Sequence, residues 1–285
     1  DIILTEPDRR SPSQFVLDNP GLAPNVKASL ARMPSNDAIF AKTISELYVA
    51  VGRAALPEIP PHGKFPKVRY TPIQLDGPSP ASKLDSFDYQ LVNVPEISAA
   101  SFGHGYLNGL PDADGIARRM PMVISVGENL APAMGLELIR IALGENWITV
   151  VGDDDGFVEA RVGDASLKAN SNGKVVLHFT ASDPRRRVSA AKVLADELEP
   201  GALANSIVLI GVTGLGLTDV SGIPLAPRMD GVEIQAQFIE NMLSQSGLDR
   251  PKFAEPGELG AVFLAGILLI AFLPKLGPLA GALPY

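Results

Sequence analysis

The stretch NSIVLIGVTGLGLTDVSGIPLAPRMDGVEIQAQFIENMLSQSG, residues 205–247, sets the reading of the whole chain. It opens on an apolar, β-branched run and passes into a cluster of glycines, Gly211, Gly214 and Gly216. A short apolar run bounded by turn residues is expected to be a buried strand, and residues 207–210 are expected to be central and parallel. From Met229 onward, apolar residues recur at helical spacing until Gly247, which predicts an amphipathic helix. Strand, glycine turn and helix in that order form the repeating unit of an α/β fold.

The same alternation extends outward. Residues 35–47, SNDAIFAKTISEL, carry a capping serine and an acid in the first turn and predict a helix. LYVAVGRA, 47–54, predicts a buried strand. Residues 57–80 hold seven prolines, which forbid regular helix and predict an irregular surface loop, with a proline-motif ligand as the alternative. YQLVNV (89–94), GYLN (105–108), IARRMPMVISV (116–126) and KVVLHF (174–179) predict strands. PEISAASF (95–102), APAMGLELIRIAL (131–143, closed by Gly144) and VSAAKVLADEL (188–198, capped by Ser189) predict helices. WITVVGDDDGFVEARV, 147–162, predicts a hairpin turning at Asp153 to Gly156. The expected fold is α/β: a mixed, largely parallel central sheet with flanking helices and hairpin decorations, followed by a transmembrane helix.

Composition removes several chemistries. The 285 residues are 46% hydrophobic but only 6% aromatic, so the core is built on aliphatics. A net charge of −8 with a single short basic run, Arg185-Arg186-Arg187, argues against a nucleic-acid partner, which needs clustered cations. The absence of cysteine excludes disulfides, thiolate nucleophiles and cysteine-ligated zinc. Three histidines, His62, His104 and His178, lie far apart and predict no metal site. There is no G-x-S-x-G elbow and no carboxylate pair marked by spacing, so no catalytic residue and no cofactor is expected.

Residues 259–273, LGAVFLAGILLIAFL, are uncharged and apolar on all faces. With their flanks they approach the ~20 residues of a membrane-spanning helix, a buried core helix being the alternative. The expected organisation is one folded body over 1–247, a linker over 248–257, a membrane helix over 258–276 and the start of a second over 277–285. Lys275 places the turn between them in the cytoplasm and the body of the chain outside. DIILTEPDRRSP at the start reads as the interior of a domain, so a preceding segment is expected.

Two motifs are candidates for chemistry. In GHGYLNGLPDADGIARRMP, 103–121, Asp112, Asp114 and Gly115 echo the start of a calcium loop whose other ligands are missing. The simpler reading is structural: a tight connection in which Asp114 clamps Arg118 or Arg119. The second motif is the G-x-x-G-x-G of 211–216, which matches neither the dinucleotide nor the P-loop spacing. At the end of a parallel strand it is where open α/β sheets bind ligands. Thr213 and Asp219, with Asn108 from the first motif, are the expected contacts for a small anion or polar metabolite. The alternative is that the glycines only allow close packing and that signalling runs through dimerisation of the helix over 233–243.

Together GYLNGLPDADGIARRMP, IVLIGVTGLGLTDV with PLAPRMDGVEIQAQFIENML after it, and the apolar helix that follows resemble the second type of CHASE domain, a cyclase/histidine-kinase-associated sensory extracellular module. The resemblance covers most of residues 1–243 and departs from the family pattern at Gln235, where histidine is common. It implies a bacterial inner-membrane receptor with its sensor in the periplasm, a homodimer, an unknown small ligand or periplasmic partner, and a cytoplasmic output. That output is commonly a class III adenylate or guanylate cyclase, otherwise a histidine or serine/threonine kinase. A periplasmic hydrolase-like enzyme and a structural module are the rivals.

Overall fold

The structure, a computed structural model, describes residues 2–60, 66–109, 111–214, 220–248 and 254–272. The chain divides into two units, Asp1–Leu248 and Asp249–Tyr285.

The first unit opens with three helices, α1 (Pro12–Asp18), α2 (Pro24–Leu30) and α3 (Asn36–Ser45). Proline stands at the start of the first two, where its missing N–H costs nothing. Ser35 caps α3 by accepting the Ala38 N–H at 3.0 Å. Strands β1 (Ala50–Leu56), β2 (Ile73–Asp76), β3 (Ser86–Phe87) and β4 (Tyr89–Leu91) follow, then the one-turn helix α4 (Pro95–Ala100) and β5 (Gly103–Tyr106). Next come β6 (Arg119–Pro121), β7 (Val123–Val126), β8 (Asn129–Pro132) and helix α5 (Met134–Ala142). The meander β9 (Ile148–Asp153), β10 (Gly156–Val162) and β11 (Ala165–Lys168) leads to β12 (Lys174–Val176) and the short α6 (Ala190–Leu194). The hairpin β13 (Val220–Ile223) and β14 (Ala226–Asp230) feeds α7 (Gly231–Ser244), and the second unit contributes α8 (Ala254–Phe272).

These strands form several small sheets, in the orders β4-β1-β5, β11-β10-β9-β2, β3-β7-β8, β12-β6 and β13-β14. Among the described residues, parallel pairing of strands occurs at β1–β5, β2–β9 and β3–β7, beside two isolated parallel bridges. The other six pairings are antiparallel. The fold is mixed α/β, and the expectation of a largely parallel central sheet is not met. The residues that prompted it, 207–210, enter no sheet. Ile207 and Leu209 pack on the main core, while Val208 and Ile210 are 50% and 70% exposed. The run is apolar on both sides, but only alternate residues meet the core, so continuity of apolar residues overstated its burial. The proline-rich stretch also differs from expectation, since the four residues of β2 fit between Pro72 and Pro78.

The main core is a single cluster joining Leu136 and Ile139 of α5, Ile234, Phe238 and Met242 of α7, and Ile148, Phe157 and Val162 of the β9–β10 hairpin. Helices α5 and α7 touch because Gly135 has no side chain: a Cβ there would stand 2.3 Å from the ring of Phe238, which is fully buried. Side-chain amides replace strand neighbours at three places. Asn108 accepts from Ala55 N at 2.7 Å and donates to Ala55 O at 2.9 Å. Gln237 does the same for Thr180 and Asn241 for His178, so α7 stands in for a strand beside residues 178–180.

Helix α8 is apolar on all faces, but Pro256 and Glu258 stand in its first turns. The uncharged run within the described residues, 259–272, rises about 21 Å against the ~30 Å of a bilayer's hydrocarbon. Among the described residues, no helix is long and apolar enough to cross a membrane.

Phe238→Ala should cost about 3–5 kcal/mol in urea unfolding, the range for emptying a buried aromatic site. Gly135→Ala should also destabilise, although alanine favours helix, and that penalty should vanish in the Phe238→Ala background. A Gly135→Ala variant as stable as the parent would show that the close approach of the two helices does not depend on the missing side chain.

Candidate functional site

Strand β5 reads Gly-His-Gly-Tyr, and its period of two sorts those residues onto two faces. The glycine face lies on α5. A Cβ on Gly105 would meet Met134 Cα at 2.3 Å, and one on Gly103 would meet Glu137 Oε1 at 2.1 Å. The other face carries His104 and Tyr106, in register with Val51 and Arg53 of the parallel β1. Strands β1 and β5 therefore place an arginine, a histidine and a tyrosine side by side inside the protein, each at most 3% exposed.

A polar layer forms around them. Tyr106 donates its hydroxyl to Gln90 Oε1, and Gln90 Nε2 donates to Tyr70 at 3.0 Å. His104 Nε2 lies 2.9 Å from Ser101 Oγ and 3.0 Å from the Ser98 carbonyl. Arg53 Nη1 donates to the Arg69 carbonyl at 3.0 Å, whereas its Nε is buried without a partner. Among the described residues no carboxylate pairs with Arg53. Desolvation lowers the pKa of Arg53, and that same burial raises the Tyr106 phenol. Burial first, then the charges of Arg53 and Arg69, push His104 down to about 4 against a pull from the Ser98 carbonyl, so it is neutral at physiological pH.

A depression of about 500 Å³ opens at the amino end of β5. Arg69, Tyr70, His104, Leu47 and Phe102 line it, together with Glu137 and Arg140 from α5. Glu137 is fully buried and takes both Nε and Nη2 of Arg140 at 2.8 Å. Arg140 Nη1 donates to the Glu145 carbonyl at 2.7 Å, so this pair is internally satisfied. The site lies at the opposite end of the strand from the one where parallel sheets usually bind ligands.

Residues 1–273 match the family model of the CHASE2 domain. The chain belongs to the CHASE2 family. It is thereby an extracytoplasmic sensor domain. Neither the curated proteins nor the solved structures contain a match to it.

Within this CHASE2 domain the sequence-predicted residues fall as follows. Asn108 spends both ends of its amide on Ala55. Thr213 lies on the exposed 212–214 segment, and Gly211 packs against Val232 in the first turn of α7. Asp219 and Gly216 lie outside the described residues, and Gly214 is exposed at their edge. Neither Asn108 nor Thr213 lines the β5 depression. Asp112, Asp114, Arg118 and Arg119 do assemble. Arg118 reaches Asp114 at 2.9 Å and Asp112 at 3.3 Å, and Arg119 reaches Asp112 at 3.2 Å. Gly115 takes φ +81° and donates to the Asp112 carbonyl at 2.8 Å, closing the turn. Among the described residues no acidic or histidine cluster has metal-ligand geometry. Gln235, where the family often carries histidine, is buried with its Oε1 unpartnered. Arg53 and His104 were not singled out by spacing. The available signal was an arginine inside an otherwise apolar strand, a position arginine rarely occupies without a task.

Two outcomes follow for this domain. Between about pH 6.5 and 4 the unfolded chain binds a proton that folded His104 refuses, so stability should fall with acidification by up to about 1.4 kcal/mol per pH unit. His104→Gln should flatten that limb of a denaturation-versus-pH series; an unchanged limb would assign it elsewhere. In the arginine clamp, Arg118 keeps the part-buried Asp112 when the more exposed Asp114 is lost, and an exposed pair contributes little. Thermal melts should therefore rank Asp112→Ala as the more damaging change, and the reverse order would contradict the clamp as described.

Proposed function

We propose that this CHASE2 chain is the sensing part of a bacterial transmembrane receptor whose cytoplasmic output is a class III adenylate or guanylate cyclase. The observation that supports it is the family match over residues 1–273, running into the uncharged apolar helix at its end. In this reading residues 258–276 cross the inner membrane, residues 1–247 lie in the periplasm, and Lys275 faces the cytoplasm. A homodimer carries the signal. A ligand that binds one arrangement of the sensor better than another shifts the population of that arrangement, and its differential affinity sets the size of the response.

Topology and output test this separately. A reporter active only in the periplasm should be active when fused after Gly247 and silent when fused at Lys275; the opposite pattern excludes the proposed orientation. Expression of the full-length gene should raise cyclic nucleotide in cells, and deleting residues 1–247 should change that level. Phosphotransfer in place of cyclic-nucleotide synthesis would move the output to a kinase and leave the sensing role in place.

A further inference from the structure

The β5 depression combines two features that a purely structural cavity does not need. The first is unbalanced charge. Glu137 is neutralised by Arg140, which leaves Arg53 and Arg69 with no acid among the described residues. Arg53 does not line the depression but is 1% exposed, hydrogen-bonded to the carbonyl of the lining Arg69, close enough to the lining His104 to act on its charge, and has Nε unpartnered. A guanidinium withdrawn from water without a counter-ion is costly, and an anion nearby offsets that cost. Arg69 is exposed, lines the depression and spends Nη2 on the carbonyls of Ser101 and Phe102, at 2.8 and 3.1 Å, while its Nε and Nη1 make no hydrogen bond to the described residues. The second feature is an exposed aromatic rim. Tyr48 and Phe102 stack edge to face, with centroids 5.1 Å apart, although 79% and 46% exposed, and Leu47 beside them is 55% exposed. A concave surface with an apolar lip and an arginine anchor, beside a Glu137–Arg140 pair that neutralises itself, fits a ligand that is apolar at one end and anionic at the other.

We propose that this depression binds a small organic acid, its carboxylate on Arg69 in the field of Arg53 and its apolar or aromatic body against Phe102 and Tyr48. The sensing reading supplies the purpose of this binding, while the binding itself stands on the geometry alone. A fork of N–H donors suits a carboxylate, and the aromatic lip distinguishes such a ligand from a bare inorganic anion.

Calorimetry on the full 285-residue chain with phenylacetate as the probe tests it. Phenylacetate should bind with a dissociation constant of about a millimolar or below, acetate about tenfold more weakly, and phenethylamine, with the same body and the opposite charge, undetectably. Arg69→Gln should weaken phenylacetate about tenfold, and Phe102→Ala should bring it down to the level of acetate. Both residues are surface groups, and an unchanged melting temperature verifies the fold of each variant. The proposal is overturned if phenylacetate fails to bind at about 10 mM, binds Arg69→Gln as well as the parent, or is matched by inorganic phosphate. Binding without any change in cyclic-nucleotide output sinks the sensing reading and upholds the site. A ligand-responsive output that ignores Arg69→Gln does the reverse.

Discussion

Close approach of backbones around helix α5 is the constraint on which the rest of the domain depends. At Gly103, Gly105 and Gly135 a single added carbon would overlap Glu137, Met134 or Phe238. With hydrogen in those places the helix can lie against β5 on one side and α7 on another. That intimacy buries Met134, Gly135, Leu136, Glu137, Ile139 and Arg140 within three turns. A helix buried so completely cannot leave its charges to solvent. Glu137 and Arg140 are one turn apart, which puts them on the same face and lets them neutralise each other at two contacts. Helix α5 thus resolves its own electrostatics and leaves the neighbouring β1–β5 layer to present a net positive charge.

That layer shows how a small sheet tolerates polar side chains inside. Gln90, Tyr70 and Tyr106 form a chain of hydrogen bonds, so the amide and hydroxyl groups exchange water for one another. His104 remains neutral and uses the carbonyl at the end of α4. Arg53 is the exception, since nothing of opposite charge among the described residues faces it. Local structure holds an uncompensated charge here that a purely apolar strand would lack, close to an open depression.

The elements built from local signals were legible in the sequence: α3 from Ser35 and Asp37, α4 from Pro95, α5 from its apolar spacing, and the β9–β10 hairpin from Asp153 to Gly156. So was the family, from the order of its motifs. The elements that depend on distant partners were not. Residues 207–210 look like a central strand, yet which strands surround a segment is a tertiary fact that its own side chains do not state. The hairpin β13–β14 was hidden because Pro224 and Pro227 suggest loop, although a two-stranded ribbon has room for proline at its edges. Asn108 was legible as a polar group in a glycine-rich loop, but its amide is taken up by Ala55 across the chain. The β5 depression was illegible for the same reason: Arg53, Arg69 and His104 become neighbours only when β1 and β5 pair in parallel.

Residues 181–213 cross the surface almost entirely without sheet pairing, and only Ile207 and Leu209 reach the core. Side chains fasten this band to α7 and the end of β14, through Arg186 with Glu240 and Arg187 with Glu233 and Asp230. Exposed ion pairs are weak and screened by salt, whereas the helices beneath are locked by interdigitated apolar groups. The domain is therefore two materials in one chain. Its body should open only by global unfolding, and its band should peel away at a small fraction of that free energy. Amide protons along the band should exchange with solvent long before those of α5, and a protease nick there should leave the body intact.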